Sequence, residues 1–315
     1  MEIYDEILCC TACGFCKKPY YSYNFTEKEI DFPKGKIMIA YGLLNGEIKE
    51  DMDVVKILQD CSLCKRCEED CPSNIKIAEI INGTRYKLKN LLPEHKKIYE
   101  NFHKYKNIFG EENFSYGNGK NAFFMGCLVK KEMKDVIISL LDKIGEDFKI
   151  ISECCGYPLR KIGINFKKKN LDGYEKILFS CPNGMIEFMK HSPIHISQFF
   201  SKCDFKRDGK NYIYHDSEFL GRYLKIYEEP REIIKKIGNL IEFKENRKMA
   251  RWCGGEIEYK LAFPEKAEEL AKYIAKEAKE KNATIVTSSP HCYSHLKEYD
   301  AIDLVQLIEE KLKNF

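Results

Sequence analysis

This sequence of 315 residues has no long apolar run and almost no excess of one charge. Its longest uninterrupted apolar stretches, such as Ala122 to Met125, fall far short of the roughly 20 residues that a membrane span requires. If the protein works at a membrane, a partner must hold it there. The formal net charge is only +3, so nothing in the overall balance favours nucleic acid. The densest basic run, Lys167-Lys168-Lys169, reads as a solvated loop rather than an organised face. Met1 to Asp5 are mixed and acidic, which does not resemble a secretory leader, and the expected location is cytoplasmic. Hydrophobic content of 44% and charged content of 32% fit a globular chain of two or three domains.

What the chain does have is cysteine, fifteen in all. In a reducing compartment clustered cysteines are metal ligands or redox groups, and spacing decides which. Cys61-x2-Cys64-x2-Cys67-x3-Cys71-Pro72 is the strongest motif. Two-residue gaps wrap the backbone around one corner of a cubane cluster, so three thiolates meet three irons. The fourth cysteine of such a run ligates the other cluster in two-cluster ferredoxins. A zinc site would instead use two separated Cys-x2-Cys knuckles.

Upstream lies an incomplete sibling, Cys10-x2-Cys13-Gly14-x-Cys16. The crossover rule assigns cluster 1 to Cys10, Cys13, Cys16 and Cys71. Cluster 2 then has Cys61, Cys64 and Cys67, with Tyr20 standing where the fourth cysteine is expected. Three thiolates hold either a [3Fe-4S] cluster or a site-open [4Fe-4S] cluster, and the fourth ligand stays unassigned. Cys9, Cys13 and Cys16 also match the Cys-x3-Cys-x-aromatic-Cys pattern that resembles radical S-adenosylmethionine enzymes. That alternative leaves Cys10 spare and does not explain the second run.

After Cys71-Pro72, Ser73 or Asn74 can cap a helix with Ile77, Ile80, Ile81, Leu88 and Leu91 on one face, ended by Pro93. Residues 1–92 therefore read as an α-helical two-cluster ferredoxin domain, and 93–119 as a polar, glycine-rich linker. From Lys120 short apolar runs alternate with amphipathic helices. Strands are expected at Ala122–Met125, Lys149–Ile151, Ile177–Phe179, Tyr212–Tyr214, Leu240–Phe243 and Ile285–Thr287. Helices are expected at Glu132–Ile144 and Pro264–Lys281. Such alternation predicts parallel α/β layers with chemistry at the carboxyl ends of the strands. Cys127, the Cys154-Cys155 pair and Cys181 follow three successive strands there. Inert burial is the alternative for these four.

The order Gly126-Cys127, Cys154-Cys155-Gly156, Cys181-Pro182 resembles the cysteine-rich CCG domain of the heterodisulfide reductase family. In its single-chain members a helical two-cluster module precedes two CCG repeats. The resemblance implies a first CCG domain over 120–205 and a second over 206–315, forming a pseudo-symmetric α/β unit. The second repeat shows in Tyr214-His215-Asp216, in Trp252-Cys253-Gly254-Gly255 and in Ser289-Pro290-His291-Cys292. Departures are clear. Gly184 replaces the last cysteine of the first repeat, leaving Cys127, Cys154, Cys155 and Cys181 for a further 4Fe-4S cluster. In the second repeat Glu218, Trp252 and Ser289 replace cysteines. Cys253 and Cys292, with Glu218, His215 or His291, are then candidates for a single metal ion. Cys203 fits no motif.

The resemblance implies an iron–sulfur electron-transfer component of an anaerobic redox complex, with a redox partner such as a flavoprotein. A catalytic heterodisulfide reductase component is the alternative, and a maturation or scaffold protein is a third.

Overall fold

The computed structural model describes residues 3–20, 28–145 and 147–313, without the side chain of Tyr20. The first part is helical. Helices Pro33–Leu44, Met52–Gln59 and Ile77–Arg85 enclose a core of Ile37, Ala40, Val54, Leu58, Ile80 and Ile81. Asp51 caps the second of them by accepting from the Val54 N–H at 2.8 Å, an ordinary N-cap.

The third helix does not begin as expected. Ser73 and Asn74 precede it without capping it, and Lys76 occupies the cap position with no capping side chain. Two distant carboxylates take over: Glu6 accepts from the Lys76 N–H at 2.8 Å and Glu68 from the Ala78 N–H at 2.7 Å. Orphan N–H groups at a helix start need some acceptor, and here tertiary structure supplies it. The helix also ends at Arg85, short of Leu88 and Leu91.

The stretch expected as a linker is structured. Pro93 opens a helix over Pro93–Tyr105 instead of ending one. Its Ile98 and Phe102 pack with Leu159, Cys127 and Cys154, while buried His95 pairs through Nε2 with the Glu258 carbonyl at 3.0 Å. An otherwise charged helix with one apolar stripe must bury that stripe, so this segment is a seam between the helical and α/β parts. Its glycine-rich end has a different cause. A Cβ on Gly119 would lie 1.8 Å from the Asp147 carbonyl oxygen, so only glycine fits where the chain runs alongside the first sheet.

That sheet has five strands in the order β1-β3-β2-β4-β5: β1 Ser115–Tyr116, β2 Asn121–Phe124, β3 Phe148–Ile151, β4 Ile177–Phe179 and β5 Ile194–His195. Only β1 is antiparallel. The second sheet has four parallel strands in the order β7-β6-β8-β9: β6 Asn211–His215, β7 Asn239–Glu242, β8 Thr284–Thr287 and β9 Ile302–Asp303. The six expected strands all appear, within one residue at each end, and β1, β5 and β9 are additions too short to read from periodicity. The expected helices run Gly126–Ile144, with a kink at Met133, and Pro264–Glu280. One continuous core holds residues of both sheets, among them Phe123, Leu178, Tyr214 and Val286. Among the described residues, no helix is long and apolar enough to cross a membrane.

Both short last strands lead into capping boxes, His195 with Gln198 and Asp303 with Gln306. Asp303 is buried, and although its Oδ1 accepts from the Val305 N–H at 2.9 Å, Oδ2 has no partner. Burial pushes its pKa from 3.8 to about 7, against that N–H. The folded state therefore holds a proton that the unfolded state releases, so this group costs stability as pH rises from about 4 to about 7. Asp303→Asn keeps a competent cap. Relative to it, the wild type should lose roughly 4 kcal/mol across that window, at about 1.4 kcal/mol per unit. Thermal unfolding of both proteins from pH 4.5 to 8 checks this; parallel curves would refute it.

Candidate metal centres

Both N-terminal cysteine runs follow one backbone plan. In the first, Ala12 and Gly14 have positive φ; in the second, Leu63 and Lys65 do, at the matching positions. This left-handed turning curls each Cys-x2-Cys-x2-Cys loop so that its thiols converge. Holding Leu63 and Lys65 there costs of order 1 kcal/mol each, strain that a loop keeps only when its shape is used.

Cys10, Cys13, Cys16 and Cys71 line one cavity, closed on its inner side by Ile37 and Ile77. The downstream cysteine thus meets the upstream run, as the crossover spacing predicts. Burial, with the three neighbouring thiols, pushes Cys16 up to about 11. Cys9 is exposed and its thiol donates to the Asp5 carbonyl at 3.4 Å. The geometry thus groups Cys10, and not Cys9, with Cys13 and Cys16.

Cys61, Cys64 and Cys67 form a second group. Burial, then the charges of Cys64 and Cys61, raise Cys67 far above an ordinary thiol, and Cys16 of the first group also bears on it. The two groups are therefore neighbours. Tyr20, the residue at the vacant fourth position, has its side chain outside the described residues.

Two buried guanidinium groups hold the second run. Arg85 donates to the carbonyls of Leu58, Gln59 and Cys61, and to that of Lys161 at 2.6 Å. Arg222, from the helical turn Phe219–Tyr223 that follows β6, donates to the Cys64 carbonyl and, at 2.9 Å, to that of Ala250. Burial raises the Cys64 thiol while the Arg222 charge opposes it. Positive charge this close favours a reduced, more negative cluster. Neither arginine was legible as a site residue, because their partners lie 24 or more residues away in sequence.

The third group lies at the carboxyl ends of β2, β3 and β4. Cys127, Cys154, Cys155 and Cys181 are all buried. Cys154 shares hydrogen bonds with Cys127 and Cys155, and the Cys127 contact raises its pKa far above normal; Cys155 is raised first by Cys154, then by burial. Burial raises Cys181, with Cys155 beside it. Thiols that resist ionisation in isolation become thiolates when a cation binds them. Backbone donors are already in place: the Gly156 N–H points at Cys154 Sγ and the Tyr157 N–H at Cys155 Sγ, both at 3.5 Å. The residue types and their convergence fit an iron–sulfur cluster. A fifth thiol does not fit readily. A Cβ at Gly184 would approach the Phe179 ring to 3.0 Å.

In the second half, His215, Cys253 and Cys292 lie together, with their ligand atoms all within 4.8 Å of one another. Glu218 falls outside that group, though it is buried nearby. His291 turns away towards Asn183 and Glu256, at 3.2 and 3.5 Å. Cys203 is half-buried and joins none of the groups.

Two family models match parts of the chain. Residues 6–75 match the 4Fe-4S dicluster domain and residues 212–297 match the cysteine-rich CCG domain. The second match falls on the half with fewer cysteines. Among curated relatives, the B subunit of the fumarate reductase (CoM/CoB) of Methanothermobacter marburgensis is 28% identical over 81% of this chain and 59% of its own length. The D subunit of the dihydromethanophenazine:CoB–CoM heterodisulfide reductase of Methanosarcina acetivorans is 24% identical over 93% of this chain and 89% of its own. The EtfAB:quinone oxidoreductase of Syntrophomonas wolfei is 25% identical over 64% of this chain and 37% of its own. The chain thus spans less than two thirds of the first and last of these. No solved structure gives a significant match. The chain is an iron–sulfur protein that joins a 4Fe-4S dicluster domain to a cysteine-rich CCG region, and it is similar to heterodisulfide reductase D subunits and to a fumarate reductase (CoM/CoB) B subunit.

Proposed function

We propose that this chain relays electrons between a flavoprotein or similar carrier and an acceptor, as one component of a larger redox complex. Cys10, Cys13, Cys16 and Cys71 would hold cluster 1; Cys61, Cys64 and Cys67 would hold three corners of cluster 2. Cys127, Cys154, Cys155 and Cys181 would hold a further cluster at the first sheet. Such clusters supply one-electron carriers whose potentials the protein sets through charge, hydrogen bonds to sulfur and exposure. Residues 1–92, 120–205 and 206–315 are then three functional units, the last two a pseudo-symmetric pair. The matching strand orders β3-β2-β4-β5 and β7-β6-β8-β9 support that pairing.

The observation that carries this reading is the serial arrangement of the thiol groups. Cys13 is exposed, which gives cluster 1 an outer face. Cluster 2 adjoins it inside. From there an aromatic bridge leads to the third group. The Tyr223 hydroxyl donates to the Leu63 carbonyl at 2.6 Å, its ring lies 5.0 Å from Phe219, and Phe219 lies 5.6 Å from Tyr157, two residues beyond Cys155. A disulfide-cleaving reading has support in the names of the heterodisulfide reductase relatives, but the crowded position of Gly184 speaks against a five-thiol site.

The test is stopped-flow mixing of the anaerobically purified chain with a reduced flavoprotein, followed by a quinone or viologen acceptor. Rapid reversible bleaching of the iron–sulfur absorbance is the expected result. Multiple turnover of a mixed disulfide by the chain, with a chemical reductant supplying two electrons per disulfide and no other protein present, would replace the relay with a reductase.

A further inference from the structure

Outside the three thiol groups, one buried cluster takes no part in the relay. Cys253, Cys292 and His215 converge from three places: a loop after β7, the first turn of the helix Pro290–Leu296, and the end of β6. All three are buried at 1% exposure or less. The loop reaches them because of its glycines. Gly254 has φ of +86°, and a Cβ on Gly255 would lie 2.5 Å from the His291 carbonyl oxygen. This close approach sets Cys253 against Cys292.

Two polar groups at this place carry buried atoms with no hydrogen bond. His215 Nε2 makes no hydrogen bond, and neither does either carboxylate oxygen of Glu218, three residues on in the chain and equally buried. Unpaired buried polar atoms are costly, and those of a charged group more so. A cation would remove that cost.

We propose that His215, Cys253 and Cys292 bind one zinc-class divalent cation, with Glu218 standing beside its fourth coordination position. Mixed nitrogen and sulfur donors suit such an ion. The number of thiols distinguishes it from a cluster. A cubane would spread its thiolates over separate irons, and two thiolates cannot hold it. Trp252 and Ser289 occupy the places where the CCG pattern carries further cysteines, and the Trp252 ring is committed to Tyr259, 4.4 Å away edge-on. The CCG-matched half is thus a single-ion site, whether or not electrons pass through the others.

Zinc, iron and sulfide should be measured on the anaerobically purified full chain after dialysis against a chelator, together with X-ray absorption at the zinc edge. About one zinc per chain is expected, with two sulfur ligands near 2.3 Å and lighter donors completing the shell. Cys292→Ser should halve the sulfur count or release zinc at least tenfold faster, leaving iron unchanged; His215→Gln should also release zinc faster. The wild-type spectrum decides the matter if either variant fails to fold. A chain that keeps no zinc would overturn the proposal. So would loss of about four irons in Cys292→Ser, which would mean a cluster.

Discussion

Cys71→Ser is expected to empty cluster 1 while sparing cluster 2, although Cys71 belongs by sequence to the second cysteine run. In space Cys71 lines the cavity of Cys10, Cys13 and Cys16. The thiol groups that bear on Cys67, by contrast, are Cys64, Cys61 and Cys16. Iron should fall by about four atoms per chain, one cubane's worth. Cys64→Ala should do the reverse and remove the signal of the three-cysteine cluster. Iron and sulfide analysis with EPR on both variants separates the outcomes. If Cys71→Ser removes the cluster-2 signal instead, the crossover assignment is wrong.

Lys161→Met should be among the most destabilising single changes that touch no cysteine. The Lys161 ammonium is 1% exposed and ion-paired with both Glu256 and Glu258. Burial works against its charge, but the two carboxylates outweigh burial and hold its pKa above the ordinary value. Asn183 also donates to Glu256, at 2.8 Å. Removing the cation leaves two buried carboxylates facing each other, and breaking a buried pair in this way costs about 3–5 kcal/mol. Part of that would be recovered when one carboxylate takes up a proton. The double variant Lys161→Met, Glu258→Gln should therefore be more stable than Lys161→Met alone, most clearly at high pH. Denaturant midpoints at pH 6 and pH 8 measure this. A Lys161→Met protein within about 1 kcal/mol of wild type, far below the cost of a broken buried pair, would contradict the account.

Much of the fold was legible because its signals are local. Each of the six expected strands is a short apolar run bounded by polar or turn-forming residues. Parallel strands buried on both faces read as continuous apolar segments. The cysteine loops were legible because the Cys-x2-Cys-x2-Cys spacing is a local signal, whereas the left-handed turns at Ala12 and Leu63 emerge only in the structure. Other features depend on partners far away in the chain. The helix over 93–105 looked like a linker because lysine and glutamate dilute its narrow stripe of Ile98 and Phe102. Its burial depends on Leu159, far along the chain. The start at Ile77 was misplaced because its acceptors, Glu6 and Glu68, are not neighbours in sequence.

The sites divide in the same way. The first-sheet thiols were found by their position after strands; in the structure Cys154 contacts Cys127 and Cys155, and Cys181 lies near enough to Cys155 to feel its charge. His215 was weighed only as an optional ligand, and its nearness to Cys253 and Cys292 emerges only from how β6, the glycine loop and the helix Pro290–Leu296 meet. Glu218 was placed among the ligands because it stands where the pattern has cysteine. The structure leaves it outside the group of His215, Cys253 and Cys292. Arg222 carried no local signal of a supporting role, yet it ties the Cys64 loop to the second half.

The proposed relay requires three iron–sulfur clusters in electronic series along this chain. The most direct test is iron and sulfide analysis of the anaerobically purified chain, with EPR during stepwise reduction. The account predicts about eleven or twelve irons per chain, as two cubanes plus a three- or four-iron cluster 2, and broadening of the reduced signals as neighbouring clusters interact. Iron limited to a single cluster, or reduced signals with no mutual broadening, would contradict it.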